Sequence, residues 1–268
     1  MNYTSLGIGL AIVFSLFLLY NLFFVLFYEN VLFQGDELNE DHAFDFKFPY
    51  EEVSIDTEDN ARLHGLLLKS DSSKGLILYF HGNRGNLERW GQIANDIRNG
   101  YNYDVLVMDY RGYGKSRGNR NEQALYQDAT VVYDYAIQQL GYDQIVIHGR
   151  SLGTAIATYL AANRKAAHLI LETPMTNIRA VIPVLDFLLF KKTWLRYEFN
   201  SLSRIDAISC PITIFHGTDD RIVPYDLGYQ LYLGIDQPNK KIITINQGKH
   251  NNLDTFEIYQ QAMERILK

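Results

Sequence analysis

Polar positions are nearly absent between Ile8 and Tyr28, and beyond about residue 50 the chain settles into short aliphatic runs separated by longer amphipathic stretches. From Ile8 to Tyr28 the sequence IGLAIVFSLFLLYNLFFVLFY carries no charge, and only Ser15 and Asn21 are clearly polar. As a helix this run would be roughly 31 Å long, about the thickness of a hydrocarbon core. A cleaved signal peptide would have a shorter apolar run, a basic start and a small-residue cleavage site. Here the start, MNYTS, has no Lys or Arg, and the run ends in bulky Phe27 and Tyr28. The pattern predicts an uncleaved membrane anchor over 1–28, an acidic stem over 29–50 and one domain over 51–268.

Within the domain the candidate strands are 51–56, 62–69, 75–81, 104–109, 144–149, 168–172, 211–217 and 241–246. Several are unbroken Val/Ile/Leu runs, as expected of strands covered on both faces. Helical patterns lie between them, notably at 87–99, 121–140, 152–164 and 252–267. The alternation predicts an α/β fold with a mostly parallel eight-stranded sheet and helices on both faces. The first two or three strands follow one another without helices, which predicts an antiparallel edge. An insertion at about 175–210, rich in large apolar residues (VIPVLDFLLF, then KKTWLRYEF), is too long for a simple crossover and reads as a small helical cap.

Composition narrows the function. The 268 residues are 47% hydrophobic and 21% charged, an ordinary globular balance, with a net charge of −6. A mildly acidic chain without a basic stretch is a poor partner for nucleic acid. One cysteine, Cys210, excludes an internal disulfide framework and a cysteine-based zinc cluster. Orientation in a membrane is weakly encoded, because no Lys or Arg precedes Lys47. The acidic stem (Glu29, Asp36, Glu37, Glu40, Asp41) favours a domain outside the cytoplasm, although acidic residues contribute little to that rule.

Candidate chemistry centres on Gly149-Arg150-Ser151-Leu152-Gly153, where a strand enters and a small-residue helix leaves. A serine on such a sharp turn is lifted above the sheet, and glycines on either side remove the side chains that would collide. The amide of Leu152, at the helix start, would point at a developing oxyanion. A serine hydroxyl needs a base. Of seven histidines, His250 follows the last strand in the loop GKHNNL, which brings it to the same sheet edge as Ser151. His81, His148 and His216 close strands, where a ring more often bonds its neighbours. The base needs a carboxylate to fix its tautomer: Asp220 is the first choice and Asp219 the second, both after the strand PITIFHG, while Glu172 reads as a structural or pocket-wall residue. A second oxyanion donor is expected from the turn His81-Gly82-Asn83-Arg84-Gly85-Asn86, at the Asn83 amide. That turn matches neither phosphate-binding glycine pattern.

These segments (HGNRGN, DYRGYGKSRG, GRSLGTAIA, HGTDDRIVP and GKHNNL, in this order) resemble the α/β-hydrolase superfamily from about Glu51 to the end. They are most similar to membrane-anchored α/β-hydrolase-domain proteins grouped with serine aminopeptidase-like hydrolases. The resemblance implies Ser151 as nucleophile, Asp220 as acid, His250 as base, and Asn83 and Leu152 as backbone oxyanion donors. It implies a supporting role for the loop Asp109–Gly118, with no catalytic role for Arg111 or Tyr113. Lys249 stands where relatives often carry a small residue. The expected activity is hydrolysis of an ester or thioester through an acyl-enzyme, without metal or organic cofactor, on a lipophilic small molecule or an acylated protein. A peptidase or amidase of the same fold, and a non-catalytic membrane-anchored scaffold, are the alternative readings.

Overall fold

The computed structural model describes residues 3–181 and 196–268. Its strands are β1 (Glu51–Asp56), β2 (Arg62–Leu68), β3 (Leu76–Phe80), β4 (Asp104–Met108), β5 (Ile145–Arg150), β6 (His168–Glu172), β7 (Ile212–Gly217) and β8 (Lys240–Ile245). Among the described residues these eight form one sheet in the order β1-β2-β4-β3-β5-β6-β7-β8. β1 and β2 are antiparallel to each other, and β2 to β4. All remaining pairs are parallel. The antiparallel edge predicted from the missing helices is therefore present, and each strand lies within a residue or two of its expected bounds.

Alternation along the central strands sorts their side chains into two layers. Leu76, Leu78 and Phe80 of β3 join Ile145 and Ile147 of β5 on one face. Ile77 and Tyr79 join Val105, Val107 and Val146 on the other. Helices α3 (Glu122–Gln138) and α4 (Leu152–Asn163) cover the first face. α2 (Leu87–Tyr101) and the C-terminal α7 (Glu257–Ile266) cover the second. Both faces of every central strand are thus buried, which explains why the strand sequences read as continuous apolar runs. Two further helices are α5 (Ile178–Val181) and α6 (Tyr225–Leu233). The core of the expected cap, 182–195, lies outside the described residues.

The amino terminus differs from the expected anchor and stem. α1 runs over Tyr3–Leu32, past the predicted end at Tyr28. Its far part leaves Ile8, Leu10, Phe14, Leu19 and Phe23 each more than half exposed. Among the described residues no helix is long and apolar enough to cross a membrane, so a bilayer-crossing anchor is not borne out; the side chains of α1 are described without a break only over 7–23. Its near end folds back onto the domain: Tyr28, Leu32 and Phe33 are buried in the α3/α4 layer. The stretch read as stem then lies along the domain surface through parallel bridges from Gln34 to Arg84 and from Glu37 to Gly114. Phe33 sets its ring against Tyr197, 4.9 Å between centroids, and under the guanidinium of Arg120 at 4.1 Å. Apolar side chains at these positions explain the docking; Glu29 pairs with Arg196 at 3.5 Å, and Asp36, Glu37, Glu40 and Asp41 are exposed.

Candidate active site

The turn between β5 and α4 is built by close backbone approach. A Cβ on Gly153 would lie 1.9 Å from the carbonyl oxygen of Phe80, and one on Gly149 2.5 Å from that of Gly153. Only glycine fits at either place, so α4 starts directly against the end of β3. Ser151 is held between them at φ 53° and ψ −118°. Such a conformation costs on the order of 1–3 kcal/mol and persists only where neighbours fix it. Here the Ser151 N–H donates to Glu172 O at 2.9 Å, and Thr154 returns both its N–H and its hydroxyl to Ser151 O. The strain leaves the Ser151 side chain free of any capping bond and raised above the sheet.

His250 arrives from the loop after β8. Its Nε2 lies 3.0 Å from Ser151 Oγ, and its Nδ1 lies 2.8 Å from Asp220 Oδ2. Asp220 sits in the turn after β7, where its other oxygen accepts the N–H groups of Ile222 and Val223, both at 2.9 Å. Burial alone would push the Asp220 carboxyl up. Hydrogen bonding to His216 and His250, the charge of His250 and the Val223 amide outweigh it and hold the group below the usual carboxylate range. Asp219, the second choice, is exposed and points elsewhere, toward Thr218. Glu172 is buried beneath the turn, 2.9 Å from His148 Nε2 and bonded to the Tyr259 hydroxyl. His81 and His216 bond the carbonyls of Gly82 and Val223. The structure therefore brings together Ser151, His250 and Asp220 and leaves the other candidates in local contacts.

Of the two expected oxyanion donors, Asn83 lines the cavity over Ser151 and Leu152 directly follows Ser151 in the chain. Leu152 is the first residue of α4, so its N–H has no intrahelical acceptor. Asn83 lies in the turn after β3, and among the described residues its N–H donates to no protein acceptor. That turn is fastened from outside. Tyr113 donates its hydroxyl to Asn83 O at 2.8 Å, and Tyr110 donates to His81 O at 2.6 Å. This is the supporting role expected of the loop Asp109–Gly118.

A second fastening comes from the amino-terminal segment, which sequence reasoning missed. Gln34 N–H donates to Asn83 O at 2.9 Å, and Gly85 N–H donates back to Gln34 O at 3.0 Å. Arg84 Nε donates to Gln34 Oε1 at 2.5 Å, and Asn83 Nδ2 to Leu32 O at 3.2 Å. The segment after α1 thus pairs like an added strand with the turn that carries Asn83. No local signal marks it, because its partners lie about fifty residues downstream.

Above Ser151 opens a cavity of about 280 Å³, lined by residues that include Gln34, Asn83, Trp90, Ile222, His250 and Asn251. A neighbouring one of about 490 Å³ runs past His250 to Arg221 and Lys249. A hydroxyl hydrogen-bonded to an imidazole, a carboxylate behind the ring and two free amides ahead can together carry out acyl transfer at a carbonyl. Among the described residues no group of three or more His, Cys, Asp or Glu side chains is arranged to hold a metal.

The serine aminopeptidase (S33) hydrolase family matches residues 71–202. The lysophosphatidylserine lipase ABHD12 of Danio rerio is 34% identical over 180 residues, 60% of this chain and 47% of the lipase. The chain therefore spans about half the length of that relative. An uncharacterized Mycobacterium tuberculosis protein, Rv2307c, is 30% identical over 222 residues, covering 81% of this chain and 78% of its own. In fold, the esterase Pf2001 of Pyrococcus furiosus superposes with a TM-score of 0.71 at 19% identity, over 88% of this chain and 96% of that one.

Proposed function

The chain belongs to the α/β-hydrolase superfamily, and we propose that it is a serine hydrolase cleaving a carboxylic ester or thioester through an acyl-enzyme on Ser151. The observation that carries this reading is the unbroken relay from Asp220 through His250 to Ser151 Oγ, at 2.8 and 3.0 Å. Asp220 holds the ring with its Nδ1 protonated, leaving Nε2 to take the serine proton as Oγ attacks the carbonyl carbon. The tetrahedral oxyanion is received by the N–H groups of Asn83 and Leu152. His250 then protonates the leaving oxygen or sulfur, and a water deprotonated by the same ring releases the acid. The test is labelling of the full chain by a fluorophosphonate together with turnover of p-nitrophenyl esters. Both are expected in the wild type and neither in Ser151→Ala. Ester turnover undiminished in that variant would remove Ser151 from the mechanism.

A lipophilic acyl group fits the apolar amino terminus. The side chains left open along α1 are those of a surface meant for hydrocarbon rather than water. In this reading α1 associates with a bilayer and brings the domain to substrates concentrated there. The name of the Danio rerio relative, a lysophosphatidylserine lipase, points in the same direction. Flotation with liposomes tests it: full-length protein is expected in the lipid fraction and the 29–268 fragment in the soluble one.

A further inference from the structure

The cavity over Ser151 is cationic in a chain whose net charge is −6. Its lining includes the three guanidinium groups of Arg84, Arg89 and Arg150 and no carboxylate. Arg150 is buried, and its Nε lies 3.8 Å from the Glu172 carboxylate. Arg84 and Arg89 are different. Both are exposed, and among the described residues neither makes an ion pair. Yet both are held. Arg84 is fixed through its Nε on Gln34 Oε1 at 2.5 Å, which leaves its two terminal nitrogens unengaged. Arg89 lies over the Trp90 ring, 4.9 Å from its centroid. Trp90 in turn donates its indole N–H to Arg84 O at 2.7 Å. Two guanidinium groups are thus set on one rigid unit, and Arg84 directly follows the oxyanion donor Asn83.

From this we propose that Arg84 and Arg89 form an anion-binding subsite that selects esters bearing a phosphate group beside the scissile carbonyl. The proposal rests on the hydrolase reading above and adds the chemistry of the part of the substrate that is not acyl. A planar fork presents paired N–H donors at the spacing of phosphate oxygens, and a cleft lined by one sign of charge concentrates that field. Two carboxylates, Asp36 and Glu88, line the outer groove beside these arginines and not the cavity over Ser151, and Glu88 is already paired with His42 at 3.0 Å. They would repel an anion approaching from outside the groove and favour one that enters beside Ser151.

The experiment compares two esters of the same acyl chain in neutral detergent micelles, lysophosphatidylglycerol (anionic) and monoacylglycerol (uncharged), using full-length protein. In the wild type the kcat/KM ratio is expected to favour the anionic ester by tenfold or more. In Arg84→Gln/Arg89→Gln that ratio is expected to fall at least tenfold, through KM, and Arg84→Lys/Arg89→Lys is expected to restore part of it. Raising salt should lower the ratio in the wild type and leave it nearly flat in the glutamine variant. Hydrolysis of both esters with a ratio within threefold between wild type and glutamine variant overturns the subsite and leaves the hydrolase standing. Hydrolysis of neither ester by folded wild type, with no fluorophosphonate labelling, overturns the hydrolase reading and the subsite with it. Thermal melting of each variant separates a lost subsite from a lost fold.

Discussion

Two histidine–carboxylate pairs lie close together at the carboxyl end of the sheet. His250 meets Asp220 at 2.8 Å, and His148 meets Glu172 at 2.9 Å. The contacts are the same in kind, but what surrounds them differs. The far nitrogen of His250 faces the Ser151 hydroxyl at the floor of an open cavity. His148 is fully buried, and its other nitrogen has no hydrogen-bond partner. Glu172 is surrounded as well, by the Tyr259 hydroxyl and by Arg150. Burial would raise its carboxyl, yet bonding to His148 and the charges of His148 and Arg150 lower it to about 2. The second pair is a brace: Glu172 O also receives the Ser151 N–H, so the brace holds the turn on which the first pair acts. A histidine beside a carboxylate is therefore no sign of catalysis until its second nitrogen is followed to what it touches.

Substitutions can break that contrast. Ser151→Ala or His250→Ala is expected to lower kcat by about 10⁴-fold or more with an unchanged melting transition, measured by ester turnover and calorimetry. Asp220→Asn should cost about 10⁴-fold, because the amide cannot hold the ring in the productive tautomer. A loss under tenfold would make Asp220 as structural as Glu172. Gln34→Pro removes the N–H that fastens Asn83 O, and a misplaced oxyanion donor should lower kcat by about 10²-fold with KM little changed. If kcat instead stays at the wild-type value, the added strand does not position the turn.

The brace should answer in stability. Glu172→Gln is expected to lower the free energy of unfolding by about 3 kcal/mol in urea titrations, since a buried partner is removed from His148 and Arg150, while kcat falls far less than in Asp220→Asn. The smallest effect is on pH. Glu172 and Asp220 both titrate lower when folded than when unfolded, so the unfolded chain binds protons first on acidification. Their contribution is full above about pH 5.5 and is lost as the pH falls through about 4 toward 2. Urea midpoints should follow that course, more shallowly in Glu172→Gln. A midpoint that rises from pH 5 to pH 3 would contradict the assignment.

Local pattern carried most of the fold. Each strand is a run whose residues sort by alternation, and α2 and α3 open on Asn86 and Asn121, whose side chains cap the first turn. α6 escaped notice for a physical reason. It starts just after Pro224, which offers no capping side chain, and carries Gly228 in its middle, where a Cβ would lie 2.1 Å from the His216 ring. Helix formation there rests on packing against β7, which periodicity alone does not reveal.

What the sequence by itself determined is the sheet, the glycine-flanked turn that lifts Ser151 and the loop that delivers His250, because alternation, turn chemistry and chain order are local properties. Asp220, the first choice from the sequence, is the carboxylate that meets His250. That Gln34 fastens the turn carrying Asn83, and that Arg84 and Arg89 line the cavity over the serine, were decided only by tertiary structure. Each depends on groups far apart in the chain being packed to within hydrogen-bond or cavity distance, and no short-range pattern specifies such a meeting.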